Sequence, residues 1–205
     1  MLFDMDGTLV DTEDLWWRAA DRVAALAGHR LADADVPDVL GRPVEHTAAY
    51  LHRLTGAPES VLAADLHARF ATLVAGHQVP RPGAVELLAR LAAAGLATAL
   101  VSASPRAVVD LVLDALAGHR FTVSVAAGDT PRGKPFPDPY LAAVRALGVG
   151  VGACVAVEDT PVGVASAEAA GVRVLAVPSA TPIQPAPGWL VRASLVGVDL
   201  ADLGW

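Results

Sequence analysis

The chain opens MLFDMDGTLV, which sets Asp4 and Asp6 two residues apart behind an apolar start and directly ahead of Gly7 and Thr8. On an extended backbone alternate side chains project to the same side, so this spacing brings both carboxylates to one reaction centre. Gly7 then lets the chain turn where a side chain would crowd that centre. A second acidic pair, Glu158 and Asp159, follows the apolar run Ala153–Val157. Acids gathered at one point repel one another unless a cation sits among them. An all-oxygen set favours Mg2+, which keeps several waters and takes phosphate as a co-ligand. Lys134, in PRGKPFPDPY, is the one lysine of a chain with 15 basic residues, the other fourteen being arginine. The prolines around it exclude a helix and hold an irregular loop. A lysine is ordinarily a solvated surface residue, but a compact ammonium in this loop can offset the carboxylates and meet a phosphate as a point charge.

These residues need a frame that brings them together. From about residue 80 onward, apolar runs alternate with helical patterns. Val85, Leu88, Leu91 and Ala92 recur at helical spacing over 84–94, and Gly95 stops the helix. The run Leu96–Val101 predicts a buried strand ending at Ser102, after which Ser104 as N-cap and Pro105 open a helix to about Ala117. Phe121–Ala126 is the next strand, with Gly128 and Asp129 behind it, and a helix from Asp138 and Pro139 ends at Gly148. Ala153–Val157 leads into Glu158 and Asp159; Thr160 and Pro161 open a helix closed by Gly171; Val172–Val177 is a further strand. Such alternation means right-handed crossovers and a parallel sheet covered on both faces. Ligands bind outside the carboxyl ends of such strands, which is where Asp4, Asp6, Ser102, Glu158 and Asp159 all fall. The opening MLF belongs to the same sheet; three residues are few, so residues missing upstream are expected to lengthen it. The proline-rich loop PSATPIQPAPG at 178–188 is expected to be a surface return to the last strand rather than a lid.

Residues 14–79 contain no strand-like run. Leu15, Ala19, Val23 and Leu26 share one helical face, Leu62, Leu66, Phe70 and Leu73 another, and Pro43–Leu54 makes a third helix. The expected fold is therefore α/β: a Rossmann-like parallel sheet core of 1–13 and 80–205, with a small all-α helical cap, 14–79, inserted after the first strand. A chain of 205 residues with 54% hydrophobic content has ample core, which excludes wholesale disorder. Its net charge of −7 excludes a basic nucleic-acid face but not a local phosphate site. The longest uncharged apolar runs, Leu91–Val101 and Leu147–Val157, are eleven residues each, too short to cross a membrane. Cys154 is the one cysteine, sits inside an apolar strand, and suits a core position in a reducing cytoplasm. The expectation is a cytoplasmic monomer or weak dimer whose partner is a small phosphorylated molecule, with no nucleic acid and no membrane.

Taken together, DMDGT at 4–8, Ser102 after a buried strand, Lys134 in GKPFPDPY and EDT at 158–160 resemble the haloacid dehalogenase superfamily of phosphohydrolases. The pattern is similar to its beta-phosphoglucomutase and phosphoglycolate phosphatase group, whose helical cap follows the first strand. FDMDGTLVDTEDLW, VSASP and VEDTPVGVASAEAAGV also resemble sugar-phosphate phosphatases acting on 2-deoxyglucose 6-phosphate and hexitol phosphates. The likeness spans nearly the whole chain. Each motif alone is weak, but four in order, each at the end of an expected strand, are specific. The resemblance implies that Asp4 is a nucleophile forming an aspartyl phosphate, and that Asp6 is the general acid and later the base for water. It implies Mg2+ as cofactor, held by Asp4, Asp159 and the Asp6 carbonyl with Glu158 adjoining, and a phosphate clamp of Ser102, Ala103 and Lys134. Substrate reading falls to the cap, at Thr12, Trp16 and Arg42. Trp16 and Trp17 point about 100° apart on a helix, so one is expected to wall the substrate pocket (Trp16) and the other to pack inside the cap (Trp17).

Other readings weigh less. The motif D-x-D-G also begins calcium loops, but those need glycine at their sixth position, which is Leu9 here. Glu158 and Asp159 also suit the approach to a helix N-terminus, a role compatible with metal binding. His46, His52, His67 and His77 show no metal spacing and read as surface or packing residues. Within the family, a dehalogenase lacks the second aspartate, and a phosphonoacetaldehyde hydrolase needs a cap lysine that is absent here. A phosphosugar mutase shares the core residues and stays the alternative, although mutases of the group carry a histidine where Trp16 stands, and a cap lysine. A non-catalytic binding module is the remoter alternative, since none of the four acids and not Lys134 has been lost.

Overall fold

The computed structural model describes residues 1–76, 79–116, 118–179 and 181–204; His77 and the expected helix end at Ala117 lie outside them. In chain order, β1 (Leu2–Phe3) is followed by four helices: α1 (Glu13–Leu26), α2 (Val36–Val39), α3 (Val44–Thr55) and α4 (Glu59–Gly76). Helix and strand then alternate through α5 (Ala84–Ala93), β2 (Ala99–Pro105), α6 (Arg106–Ala115), β3 (Val123–Ala127) and α7 (Asp138–Leu147). They continue through β4 (Val155–Glu158), α8 (Pro161–Ala169) and β5 (Arg173–Ala176) to β6 (Trp189–Val191). The six strands form one parallel sheet in the order β3-β2-β1-β4-β5-β6. This is the Rossmann-like α/β architecture expected of the alternating pattern. The chain divides into two compact units, Met1–Asp11 with Val79–Trp205, and Thr12–Gln78.

β1 is short yet sits at the centre of the sheet. Leu2 pairs with Ala99 and Ala156, and Phe3 with Leu100 and Val157. The ladder runs past both ends: Ala99 N–H donates to Met1 O at 2.8 Å, and Asp4 N–H to Val157 O at 3.0 Å. Both β1 side chains are fully buried, so neighbours on each side supply what length does not. One face of the sheet packs Leu2, Ala99, Val101, Ala156 and Val174 against Tyr140 and Ala143 of α7 and Val164 and Ala167 of α8.

Strand ends shift from expectation: β2 begins at Ala99 rather than Leu96, β3 at Val123 rather than Phe121, and two further shifts have local causes. β2 continues to Pro105, with a register shift between Val101 and Pro105, and Pro105 pairs with Ala127. Ser104 is therefore a strand residue, and α6 starts at Arg106 with no side-chain cap. β4 starts at Val155 because a 3-10 turn takes up Val151–Ala153. At α8 the expected cap holds: Thr160 Oγ1 accepts from Gly163 N–H at 3.1 Å, with Pro161 in the first turn.

Within the helical unit, Leu15, Ala19 and Val23 of α1 are buried, but Leu26, in the last turn, is 58% exposed. On α4 the buried stripe is Leu62, Leu66, Phe70 and Val74, so Val74 takes the place expected of Leu73. Trp16 packs edge-on against Phe70, with ring centroids 5.2 Å apart, and its indole N–H donates to Val39 O at 2.8 Å. Asp35 is buried and accepts from Ala32 N–H at 2.6 Å and from the Tyr50 hydroxyl. No helix among the described residues is long and apolar enough to cross a membrane.

Candidate active site

Parallel pairing of β1 with β4 sets the Phe3 Cα beside Val157, so the next residues on each strand, Asp4 and Glu158, emerge together. Asp159 follows at once. All three are nearly sealed from solvent, at 6%, 0% and 1% exposed, and each offers an oxygen within 4.8 Å of the others. Lys134 reaches in from the loop before α7, its side chain 5% exposed; Nζ donates to Asp4 Oδ1 at 2.7 Å and Glu158 Oε1 at 2.5 Å. Tyr140, also fully buried, donates its O–H to the same Glu158 Oε1 at 2.6 Å. Its ring lies 5.3 Å from the lysine nitrogen.

Electrostatics follow from this crowding. Burial alone lowers the pKa of the Lys134 ammonium, but Asp4 and Glu158 outweigh it and hold the group above its usual range. Burial, aided by Asp4 and opposed by Lys134, pushes Glu158 up to about 7. Burial and the Glu158 charge raise the Tyr140 phenol well above its ordinary value. Three carboxylates gather with one ammonium, which bonds two of them, and the excess negative charge is poorly solvated. Asp4 Oδ2 and Glu158 Oε2 have no hydrogen-bond partner. Buried, unengaged carboxylate oxygens beside a third carboxylate make a donor set fit for a hard cation.

Asp6, two residues after Asp4, is held by serines of β2. Its Oδ2 accepts from Ser104 Oγ at 2.7 Å and Ser102 Oγ at 3.2 Å, and Ser104 N–H in turn donates to Ser102 Oγ at 2.9 Å. The hydroxyl read from sequence as a helix cap thus serves Asp6. Gly7 turns the chain with φ +79°, and a Cβ there would fall 2.1 Å from Asp159 Oδ2. Any side chain at that position displaces a site carboxylate.

Asp4, Glu158, Asp159 and Lys134 therefore come together, with Asp6 and Ser102 alongside. Ala103, expected in the phosphate clamp, is exposed within the irregular stretch of β2. The remaining candidates lie in the helical unit. Thr12 is buried ahead of α1, and its carbonyl accepts from Trp16 N–H at 2.8 Å. Arg42 Nε donates to Pro37 O at 2.9 Å. Trp16, expected to wall a pocket, is 8% exposed and committed to Phe70 and Val39, whereas Trp17 is half-buried. Trp16 thus has the packed position that was expected of Trp17.

Sequence reasoning missed three contributors. Ser179, in the proline-rich loop taken as a plain surface return, donates to Asp159 Oδ2 at 2.5 Å. Gly163 lies so close to Glu158 that a Cβ would fall 1.9 Å from Oε2. Its place, five residues after Glu158 in the first turn of α8, was a usable signal. Tyr140 sits on the buried face of α7 and reads from sequence as plain core.

Known proteins match this picture. The family profile for haloacid dehalogenase-like hydrolases matches residues 1–171. Protein CbbY of Rhodobacter capsulatus is 36% identical over 192 residues, covering 87% of this chain and 85% of its own length. Hexitol phosphatase B of Escherichia coli (strain K12) is 32% identical over 183 residues, covering 87% and 82%. The crystal structure of CbbY from Rhodobacter sphaeroides in complex with phosphate superimposes with a TM-score of 0.87 at 29% identity, over 100% of this chain and 98% of that one. Acids at the ends of neighbouring strands, the parallel sheet that delivers them and these likenesses agree, and the chain belongs to the haloacid dehalogenase-like hydrolases.

Proposed function

We propose that the protein is a Mg2+-dependent phosphatase that hydrolyses a small phosphorylated metabolite, a sugar or sugar-alcohol phosphate, through an aspartyl phosphate on Asp4. The observation that carries this reading is the buried cluster of Asp4, Glu158 and Asp159 around Lys134, with oxygens left unengaged. The likeness to hexitol phosphatase B and to a CbbY structure with bound phosphate supports the substrate class. Mg2+ would be held by Asp4, Asp159 and the Asp6 carbonyl with Glu158 adjoining; when bound it supplies positive charge against the transferring phosphoryl group. An Asp4 oxygen attacks phosphorus, the bond from phosphorus to the sugar oxygen breaks, and Asp6 gives that oxygen its proton. Water then attacks the same phosphorus and passes a proton to Asp6. The P–O bond to Asp4 breaks, leaving the alcohol and inorganic phosphate. Ser102, Ala103 and Lys134 steady the phosphoryl oxygens.

The helical unit is read as the cap, and selectivity among substrates is assigned to it. Thr12 and Arg42 stay candidates there, and Trp17 replaces Trp16 as the available ring. The enzyme acts in the cytoplasm on small molecules, as a monomer or weak dimer. The test is phosphate release from p-nitrophenyl phosphate with Mg2+ and with EDTA, followed by a panel of hexitol phosphates, sugar phosphates and phosphoglycolate. Release that requires Mg2+ is expected. A protein that frees no phosphate from any of them in Mg2+ overturns the reading, and isomerisation of a sugar phosphate without release favours the mutase.

A further inference from the structure

We propose that Tyr140 is a positioning residue for Glu158, fixing which carboxylate oxygen is presented to the metal; this rests on the metal reading above. Tyr140 lies on α7 with no exposed surface, and its O–H donates to Glu158 Oε1 at 2.6 Å. Lys134 Nζ donates to that same oxygen at 2.5 Å, while Oε2 has no hydrogen-bond partner. On the flank, Gly163 lies so close that a Cβ would fall 1.9 Å from Oε2 and 2.2 Å from Oε1. The terminal torsion of a glutamate is broad and two-fold, so the bare side chain exchanges its oxygens readily. Two donors on one oxygen and a backbone wall beside the group stop that exchange. Packing does not require the hydroxyl, because phenylalanine fills the same core space with no polar atom to satisfy. The O–H is explained by what it holds. Groups that orient ligating side chains typically change metal affinity about 10- to 100-fold when removed.

The experiment is isothermal titration of Mg2+ into the purified protein without substrate. Tyr140→Phe keeps the ring over Lys134 and deletes only the O–H. Its Mg2+ Kd is expected to rise about tenfold or more. Ser166→Ala is the control: this residue is equally buried, and its hydroxyl donates to a backbone carbonyl, Phe136 O at 2.6 Å, rather than to a site carboxylate. That variant is expected to lose stability and keep the wild-type Kd. Glu158→Gln supplies the second test, since Tyr140→Phe added to it should weaken binding no further. An unchanged Kd in Tyr140→Phe, or a full additional loss in the double variant, overturns the inference alone. Wild-type protein that binds no Mg2+ overturns the metal reading and this inference with it.

Discussion

In the α/β unit, Asp4, Glu158, Asp159 and Lys134 are all withdrawn from water at one point, and negative charge stays in excess. The helical unit buries polar groups too, and leaves Thr47 Oγ1 and Arg69 Nε without a hydrogen-bond partner, but its buried carboxylate is answered locally: Asp35 takes the Tyr50 O–H and the Ala32 N–H. The Trp16 indole likewise finds Val39 O. Burying a charge without full compensation costs several kcal/mol, so the first arrangement is a poor way to hold a fold together. The second is an ordinary way to do so. The difference separates a region shaped for chemistry at the expense of stability from one whose described polar contacts serve packing.

Asp4→Asn should break the comparison most sharply. The amide is nearly isosteric but a poor nucleophile and a weak metal ligand, so turnover should fall to a few per cent of wild type or less. Because one excess negative charge is gone, the variant in EDTA should melt no lower than wild type. Substantial residual activity would sink the nucleophile assignment, and a large drop in melting temperature would show the carboxylate to be structural. Lys134→Met runs the other way. It strips the cation from two buried carboxylates and should cost about 3–5 kcal/mol by urea denaturation in EDTA, as well as activity. A variant as stable as wild type would mean that the carboxylates do not need the ammonium.

Trp16→Ala tests the helical unit on its own terms. Loss of a buried indole, its edge contact with Phe70 and its hydrogen bond should lower stability by about 3 kcal/mol or more. Trp17→Ala should stay within about 1 kcal/mol and is the variant expected to alter relative kcat/KM among sugar phosphates. Equal destabilisation by both would erase the distinction between the two rings.

Much of the α/β site was legible because its chemistry stands at strand ends, and strands announce themselves as bounded apolar runs. Once β1 and β4 are neighbours, Asp4 and Glu158 must emerge together. Ser104 misled because Ser-Pro is also a helix-start signal, and only tertiary contact with Asp6 decides between the two uses. Tyr140 was hidden for a related reason: an apolar helix face accepts tyrosine as core, and nothing local says where its hydroxyl points. Ser179 stood in a loop with no periodicity to read. In the helical unit, two adjacent tryptophans carry almost the same pattern information. The choice between them was made by α2, a helix of only four residues that the pattern did not suggest.

The smallest expected effect concerns pH and sharpens the contrast from the helical side. The hydrogen bond to Asp35, followed by burial, pushes the Tyr50 phenol up to about 12. Asp35 in turn is held below the usual carboxylate range, first by Tyr50 and then by the Ala32 N–H. An unfolded phenol ionises near pH ~10, so the folded state holds its proton more tightly. The stabilisation is therefore fully present below pH ~10 and is lost as pH rises towards 12. Phenolate absorbance should show a transition at about 12 in wild type that Tyr50→Phe lacks. Asp35→Asn should bring that transition back towards pH ~10, because the amide carries no charge to hold the proton in place. If the transition stays where it was in Asp35→Asn, burial rather than the carboxylate sets it, and the helical unit does not answer its buried charge through this pair.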